Sequence, residues 1–206
     1  CRMAVTVADQ AIQGHGSVRF TQKERRMDGS SDNALAKGVC KFHVTDGVGS
    51  NIDKTANTNA GLNGIAEAFD NVQLSPVYES ESVGFKGDTF FNLVVSAQTD
   101  ASVKRVCETL KKIEDENGRI RGTQKFAPRT LDLDLLIFDE RVIHKPIVLP
   151  RDEILYNAFV LRPLADLVPS HVHPVVKKTY QTLWQQYDKQ KQNLWVADYE
   201  WSDTRK

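Results

Sequence analysis

From residue 44 onward, apolar positions fall into short blocks whose spacing changes repeatedly between alternating and helical. Val44 starts a strand-like edge, Gly47-Val48-Gly49-Ser50-Asn51 predicts a flexible turn, and Leu62, Ile65, Ala66 and Phe69 follow at amphipathic-helix spacing. Ser75 to Glu79 predicts a short strand and Phe90 to Ala97 a stronger one, with the Gly-bearing loop Ser82 to Asp88 between them. Val103, Val106, Leu110 and Ile113 mark one face of a second helix, which Gly118 would end as a left-handed cap. Leu131 to Phe138 then reads as a strand, and Ala158 to Leu161 as a short apolar element ahead of Pro163. The order β, α, β, β, α, β predicts an α+β sheet of the ferredoxin-like type with helices on one face. Tyr180, Leu183, Trp184 and Tyr187 mark a last helix face, and an aromatic tail with Trp195, Tyr199 and Trp201 is expected to pack back onto the domain.

Residues 1–40 show neither period. They predict a flexible extension or a cloning scar, with Met3 to Val7 as an alternative edge element, and residues 41–206 carry the domain. The 206 residues carry 27 Lys+Arg against 27 Asp+Glu, which excludes nucleic-acid or anionic-membrane binding driven by bulk charge. No apolar run reaches the ~18 residues of a membrane span. The first residues also lack a secretory pattern. Three widely separated cysteines, Cys1, Cys40 and Cys107, suit neither a disulfide framework nor a zinc site, so the expectation is a cytoplasmic protein.

Candidate chemistry concentrates between Gly118 and Asp134. Asp132 and Asp134 alternate with Leu131, Leu133 and Leu135, so on a strand both carboxylates share one face, about 7 Å apart. Such a pair is either a solvated outer face or a site for a hard cation such as magnesium. Arg119, Arg121, Lys125 and Arg129 lie just upstream. They either form a solvated loop offsetting Glu114-Asp115-Glu116 or supply phosphate-binding charge beside the aspartates. There is no P-loop, and Gly47-Val48-Gly49 is too little for a dinucleotide fold. His171 and His173 precede Pro174 without acidic or cysteine partners and read as surface histidines.

The run Arg119, Arg121, Pro128-Arg129-Thr130-Leu131-Asp132-Leu133-Asp134 resembles the signature of the 6-hydroxymethyl-7,8-dihydropterin pyrophosphokinases of folate biosynthesis. Gly49-Ser50-Asn51, Asn92 after an aromatic pair, Ile113-Glu114, Leu149-Pro150 and Phe159 ahead of Pro163-Leu164 extend the likeness across about residues 44–170. The resemblance implies a ferredoxin-like enzyme that moves a pyrophosphoryl group from ATP to the pterin hydroxymethyl and releases AMP. By that resemblance Asp132 and Asp134 would hold two Mg²⁺ ions. Arg119 and Arg129 would contact phosphates, with Arg121 a further basic position on a catalytic loop that also carries Phe126. The pterin would be bound by Ser80, Val83, Phe90, Asn92 and Phe159, the two phenylalanines sandwiching the heterocycle. Glu114, Leu135 and Arg151 would join the arginines around ATP.

Departures also stand out. Arg151 occupies a position where many members have histidine, Asn157 one where many have arginine, and Glu81 and Ser82 replace common prolines. Asp46 interrupts an apolar first strand and would be costly if buried unpaired. The expected protein is a monomeric enzyme acting on small molecules. The alternatives are a catalytically impaired paralog that binds pterin or nucleotide, and a partner-binding surface with no metal-dependent nucleotide binding.

Overall fold

The computed structural model describes residues 42–81, 89–118 and 130–203. Strand β1 (Phe42–Ser50) runs through the middle of an antiparallel sheet, between β4 (Phe90–Thr99) and β5 (Asp132–Phe138). The far side of β4 pairs with β2 (Asp70–Leu74) and β3 (Tyr78–Ser80), and β3 pairs in turn with the C-terminal strand β6 (Leu194–Val196). Two helices complete the βαββαβ core, α1 (Lys54–Ala68) after β1 and α2 (Val103–Glu116) after β4. The antiparallel order β5-β1-β4-β3 and the split second strand give the ferredoxin-like sheet that the element order predicts.

Alternation along the strands divides the side chains between two faces. Phe91, Leu93, Val95 and Ala97 of β4, with Val44 and Val48 of β1 and Leu133 and Leu135 of β5, meet Leu62 and Ile65 of α1 and Val106 and Leu110 of α2. Gly61 allows the close approach of α1, since a Cβ there would stand 2.7 Å from Cδ1 of buried Leu131. α2 forms where its apolar face repeats at helical spacing; the Ser102 hydroxyl caps it by accepting from the Arg105 amide at 3.3 Å, and Gly118 follows at φ 74°.

The opposite face is covered only in part, so the expectation of helices on one face is corrected. Helix α3 (Ala158–Leu167) lays Val160, Leu161 and Leu164 against Val94 and Leu136, and α4 (Tyr180–Gln186) adds buried Tyr180. α3 continues through Pro163 instead of stopping before it, because the apolar residues on both sides of the proline are held in this second core. Arg162 on the same helix donates to the Tyr78 hydroxyl at 2.8 Å, and Tyr78 donates to Asp166 at 2.5 Å, which ties α3 to β3.

The turn expected at Gly47–Asn51 is corrected as well: residues 47–50 are strand, with 47–49 paired on both sides and Ser50 paired with β4. The tail packs back as expected. Trp195 Nε1 donates to Glu79 at 3.2 Å, the Tyr199 hydroxyl to Asn59 at 3.1 Å and Trp201 Nε1 to Asn63 at 3.0 Å. Lys54 and Thr89 also bond the Glu79 carboxylate, and these two contacts chiefly hold it below the usual carboxylate range. Among the described residues no helix is long and apolar enough to cross a membrane.

Candidate active site

The half of the second face that α3 leaves open is where the chemistry-bearing residues gather. In the β1–β5 ladder Gly49 stands opposite Asp132 and Gly47 opposite Asp134, so neither carboxylate has a neighbouring β1 side chain to crowd it. A Cβ on Gly49 would lie 3.9 Å from both Asn92 Oδ1 and Asp132 Cβ, so the missing side chain leaves a gap joining the amide to the acid pair. A cavity of about 90 Å³ is floored there by Gly47 and Gly49 and walled by Asn92, Asp132, Asp134 and Phe159. The start of β5 is anchored by Ser50, whose hydroxyl donates to the Thr130 carbonyl at 2.6 Å.

Asn92 is nearly buried and donates through Nδ2 to Ser80 Oγ at 3.0 Å and to the Phe90 carbonyl at 3.2 Å. Its Oδ1 therefore remains the atom presented toward Gly49 as an acceptor. Phe90 shares the Asn92 face of β4 by alternation. Phe159, in the first turn of α3, lines this cavity and a second one of about 240 Å³ bounded by Ser80, Glu81 and residues 190–194.

Arg151 lies between two carboxylates. Its guanidinium donates to both oxygens of Glu153 at 3.1 Å and comes within 3.7 Å of Asp134 Oδ1, while its backbone amide bonds the Leu136 carbonyl at 2.9 Å. That amide bond fixes the segment beside β5, so a cation stands next to Asp134. Glu153 and Asn157 line the cavity too; Asn157 is the position noted as departing from the family's arginine, whereas no motif distinguishes Glu153 in sequence.

Two other residues proposed for the nucleotide lie elsewhere. Glu114 is buried on α2, and its Oε1 accepts from the Leu133 amide at 2.9 Å, which ties the helix to the strand between the two aspartates. The Leu135 side chain is buried in the core against α1 and α2, so only its backbone faces outward. Val83, Arg119, Arg121, Lys125, Phe126 and Arg129 lie outside the described residues, as do residues 1–41.

Among the described residues no group of three or more His, Cys, Asp or Glu converges as a metal cage. Two same-face carboxylates with uncrowded neighbours instead suit magnesium, which keeps most of its ligands as water or phosphate oxygen and takes one or two from protein carboxylates. His173 is corrected from a surface histidine to a buried one. Its Nδ1 accepts from the Val175 and Val176 amides at 3.2 and 3.3 Å, and burial lowers its pKa. Asp46 faces the helix-covered core with neither carboxylate oxygen hydrogen-bonded among the described residues; burial, with the Asp134 charge adding to it, raises its pKa to about 8.

Residues 46–169 match the family model described as 7,8-dihydro-6-hydroxymethylpterin-pyrophosphokinase. A protein of Aquifex aeolicus named 2-amino-4-hydroxy-6-hydroxymethyldihydropteridine pyrophosphokinase is 30% identical over 135 residues, 64% of this chain and 84% of that protein. A Pseudomonas aeruginosa protein of the same name is 39% identical over 100 residues, 48% of this chain and 61% of that one. Among solved structures, Plasmodium falciparum HPPK-DHPS with pterin and p-hydroxybenzoate superposes with a TM-score of 0.61 at 15% identity, covering 76% of this chain and 44% of the other. That likeness establishes the fold alone, and the chain spans less than half of the Plasmodium protein.

Proposed function

Because the chain belongs to the 7,8-dihydro-6-hydroxymethylpterin-pyrophosphokinase family, we propose that it transfers pyrophosphate from ATP to 6-hydroxymethyl-7,8-dihydropterin and releases AMP. The observation that carries this reading is the single cavity in which Asn92 and Phe159 face Asp132 and Asp134 across a floor of two glycines. A flat heterocycle and a metal-bound phosphate can meet in that space, and no side chain of β1 separates them.

Each site residue then has a task in this reading. The pterin ring stacks on Phe159, with Phe90 on its other side. Asn92 Oδ1 accepts from a ring N–H, and its orientation is fixed by the bonds to Ser80 and Phe90. Glu81 borders the ring cavity, and Val83, two positions later in the sequence, would contact the pterin by the family resemblance. Asp132 and Asp134 would hold two Mg²⁺ ions, which would screen the triphosphate charge and make the β-phosphorus more electrophilic. The hydroxymethyl oxygen bonds to that phosphorus as the bridging oxygen to the α-phosphorus leaves with AMP. Positioning the two reactants in line is the main contribution of the protein.

Arg151, beside Asp134, can release one carboxylate and turn its fork to a phosphate oxygen; it takes the place of a histidine but stays charged at every working pH. Arg119, Arg121 and Arg129 add positive charge around the departing AMP. Glu114 serves the nucleotide indirectly, by holding the Leu133 amide and hence both flanking aspartates. Leu135 offers ATP its backbone. The reaction is cytoplasmic in this reading.

The test is AMP release from ATP, with and without 6-hydroxymethyl-7,8-dihydropterin, in magnesium and then in excess chelator. AMP that requires both pterin and magnesium is the expected result. Folded protein that binds pterin but yields no AMP would indicate a catalytically impaired paralog, and protein that binds neither substrate would overturn the reading.

A further inference from the structure

The outer wall of the larger cavity is built by the C-terminal segment. Ser80 and Glu81 form one side of it and Phe159 another, and residues 190–194 close the third as they run from a turn into β6. The turn holds its own shape: the Gln190 amide donates to Asp188 Oδ1 at 3.2 Å and the Lys191 amide to the Asp188 carbonyl at 3.2 Å.

Gln192 reaches from this wall to the start of α3. Helix α3 begins with a deficit, because its first amides lack partners within the helix and the side chain of Asn157, at the N-cap, accepts no capping bond. Gln192 Oε1 accepts from the Ala158 amide at 2.6 Å, and Gln192 Nε2 reaches Asn157 Oδ1 at 3.4 Å. Nearby, the Tyr187 hydroxyl donates to the Tyr156 carbonyl at 3.0 Å. The cap that α3 does not supply for itself is thus delivered by a residue more than thirty positions later in the chain. Phe159 follows Ala158 directly, so the angle at which α3 leaves its cap sets the plane of the ring.

We propose that Gln192 is a positioning residue for the pterin stack, fixing the Asn157–Phe159 corner so that the Phe159 ring is held ready before the pterin arrives. This rests on the pterin reading of the cavity. An orienting residue of this kind lowers the ordering cost of binding, so its loss weakens affinity for the pterin without touching the nucleotide half.

The experiment compares wild type, Gln192→Ala and Gln192→Glu in the full chain. Three quantities are measured: the Kd for 6-hydroxymethyl-7,8-dihydropterin by calorimetry, the Kd for a non-hydrolysable ATP analogue with magnesium, and hydrogen exchange at the Ala158 amide. Gln192→Ala is expected to weaken pterin binding about tenfold, the scale of a lost helix cap, with nucleotide affinity within about twofold of wild type and faster Ala158 exchange. Gln192→Glu keeps an acceptor at the helix start and is expected to restore pterin affinity. Wild-type pterin affinity in Gln192→Ala would overturn the inference and leave the functional reading standing. Equal losses of both affinities, with a lower melting temperature, would overturn it in favour of a purely structural role. Wild type that fails to bind pterin would remove both readings, and accelerated Ala158 exchange in the variant would then mark a helix cap and nothing more.

Discussion

Asp46 offers the sharpest physical test of the fold. Its side chain is fully buried on the helix-covered face, no hydrogen bond from the described residues reaches either oxygen, and burial, with the Asp134 charge adding to it, raises its pKa from 3.8 to about 8. Between those two values the folded protein keeps a proton that the unfolded chain gives up. More protons are then bound in the native state, so stability falls as pH rises, by about 1.4 kcal/mol per unit. Across the roughly three units from 3.8 to neutrality the loss is about 4 kcal/mol, a large share of a typical domain's stability. The loss levels off above pH 8, where both states are ionised. Asp46→Asn removes the titration while keeping nearly the same shape. It should match wild type near pH 4.5 and exceed it by about 4 kcal/mol at pH 7.5, once the pH-independent polarity of the buried amide is shared by both proteins. Urea denaturation at pH 5, 6, 7 and 8 reads this directly, because at about 2 kcal/mol per molar the midpoints should separate by about 2 M at the top of the range. A constant difference between the two proteins from pH 5 to pH 8 would refute the reasoning, since it would mean that Asp46 is already ionised and solvated in the native state.

The remaining predictions concern the cavity and its support. Asp132→Ala and Asp134→Ala should each abolish AMP formation, and near-normal turnover in either variant would sink the metal assignment. Phe159→Ala should weaken pterin binding by about 1 to 3 kcal/mol, the scale of a lost aromatic stack with its buried area; calorimetry showing unchanged affinity would remove Phe159 from the site. Arg151→Ala should raise the nucleotide Kd about tenfold with little change in melting temperature, as for loss of one charge-assisted phosphate contact. Gly61→Ala should cost about 1 to 3 kcal/mol by thermal melting, because the new methyl group meets fully buried Leu131.

The strands and helices with unbroken periodicity were legible in the sequence. Val106, Leu110 and Ile113 mark α2 without ambiguity, and the alternation in Leu131–Asp134 places both aspartates on one face, as the structure does. β1 was not legible as a continuous strand, because Gly-Val-Gly reads locally as a turn while both of its pairing partners lie more than forty residues later in the chain. α3 was cut short for the same reason: Pro163 ends a helix by propensity, and only the second core, which brings together residues 94, 136 and 180, overrides it. His173 gave no sign of burial, since its partners are backbone amides that carry no sequence signal. Within the site, Asn92, Phe159 and the aspartates came from the motif. Glu153 and the cap from Gln192 depend on side chains meeting across the fold, and no spacing reports them.

The two-faced sheet makes stability and catalysis partly separable along a single strand. On β4 the odd positions 91, 93, 95 and 97 feed the helix-covered core, while Asn92 on the other face lines the cavity and Val94 beside it enters the second core. A saturation mutational survey of that strand should therefore show abundance falling at 91, 93, 95 and 97 and also at Val94, which packs in the second core, with substrate selectivity changing at Asn92 between them. Drift at Asn92 can retune what the cavity accepts without disturbing the helix-covered core, while Val94, which serves both the cavity and the second core, ties the two properties together.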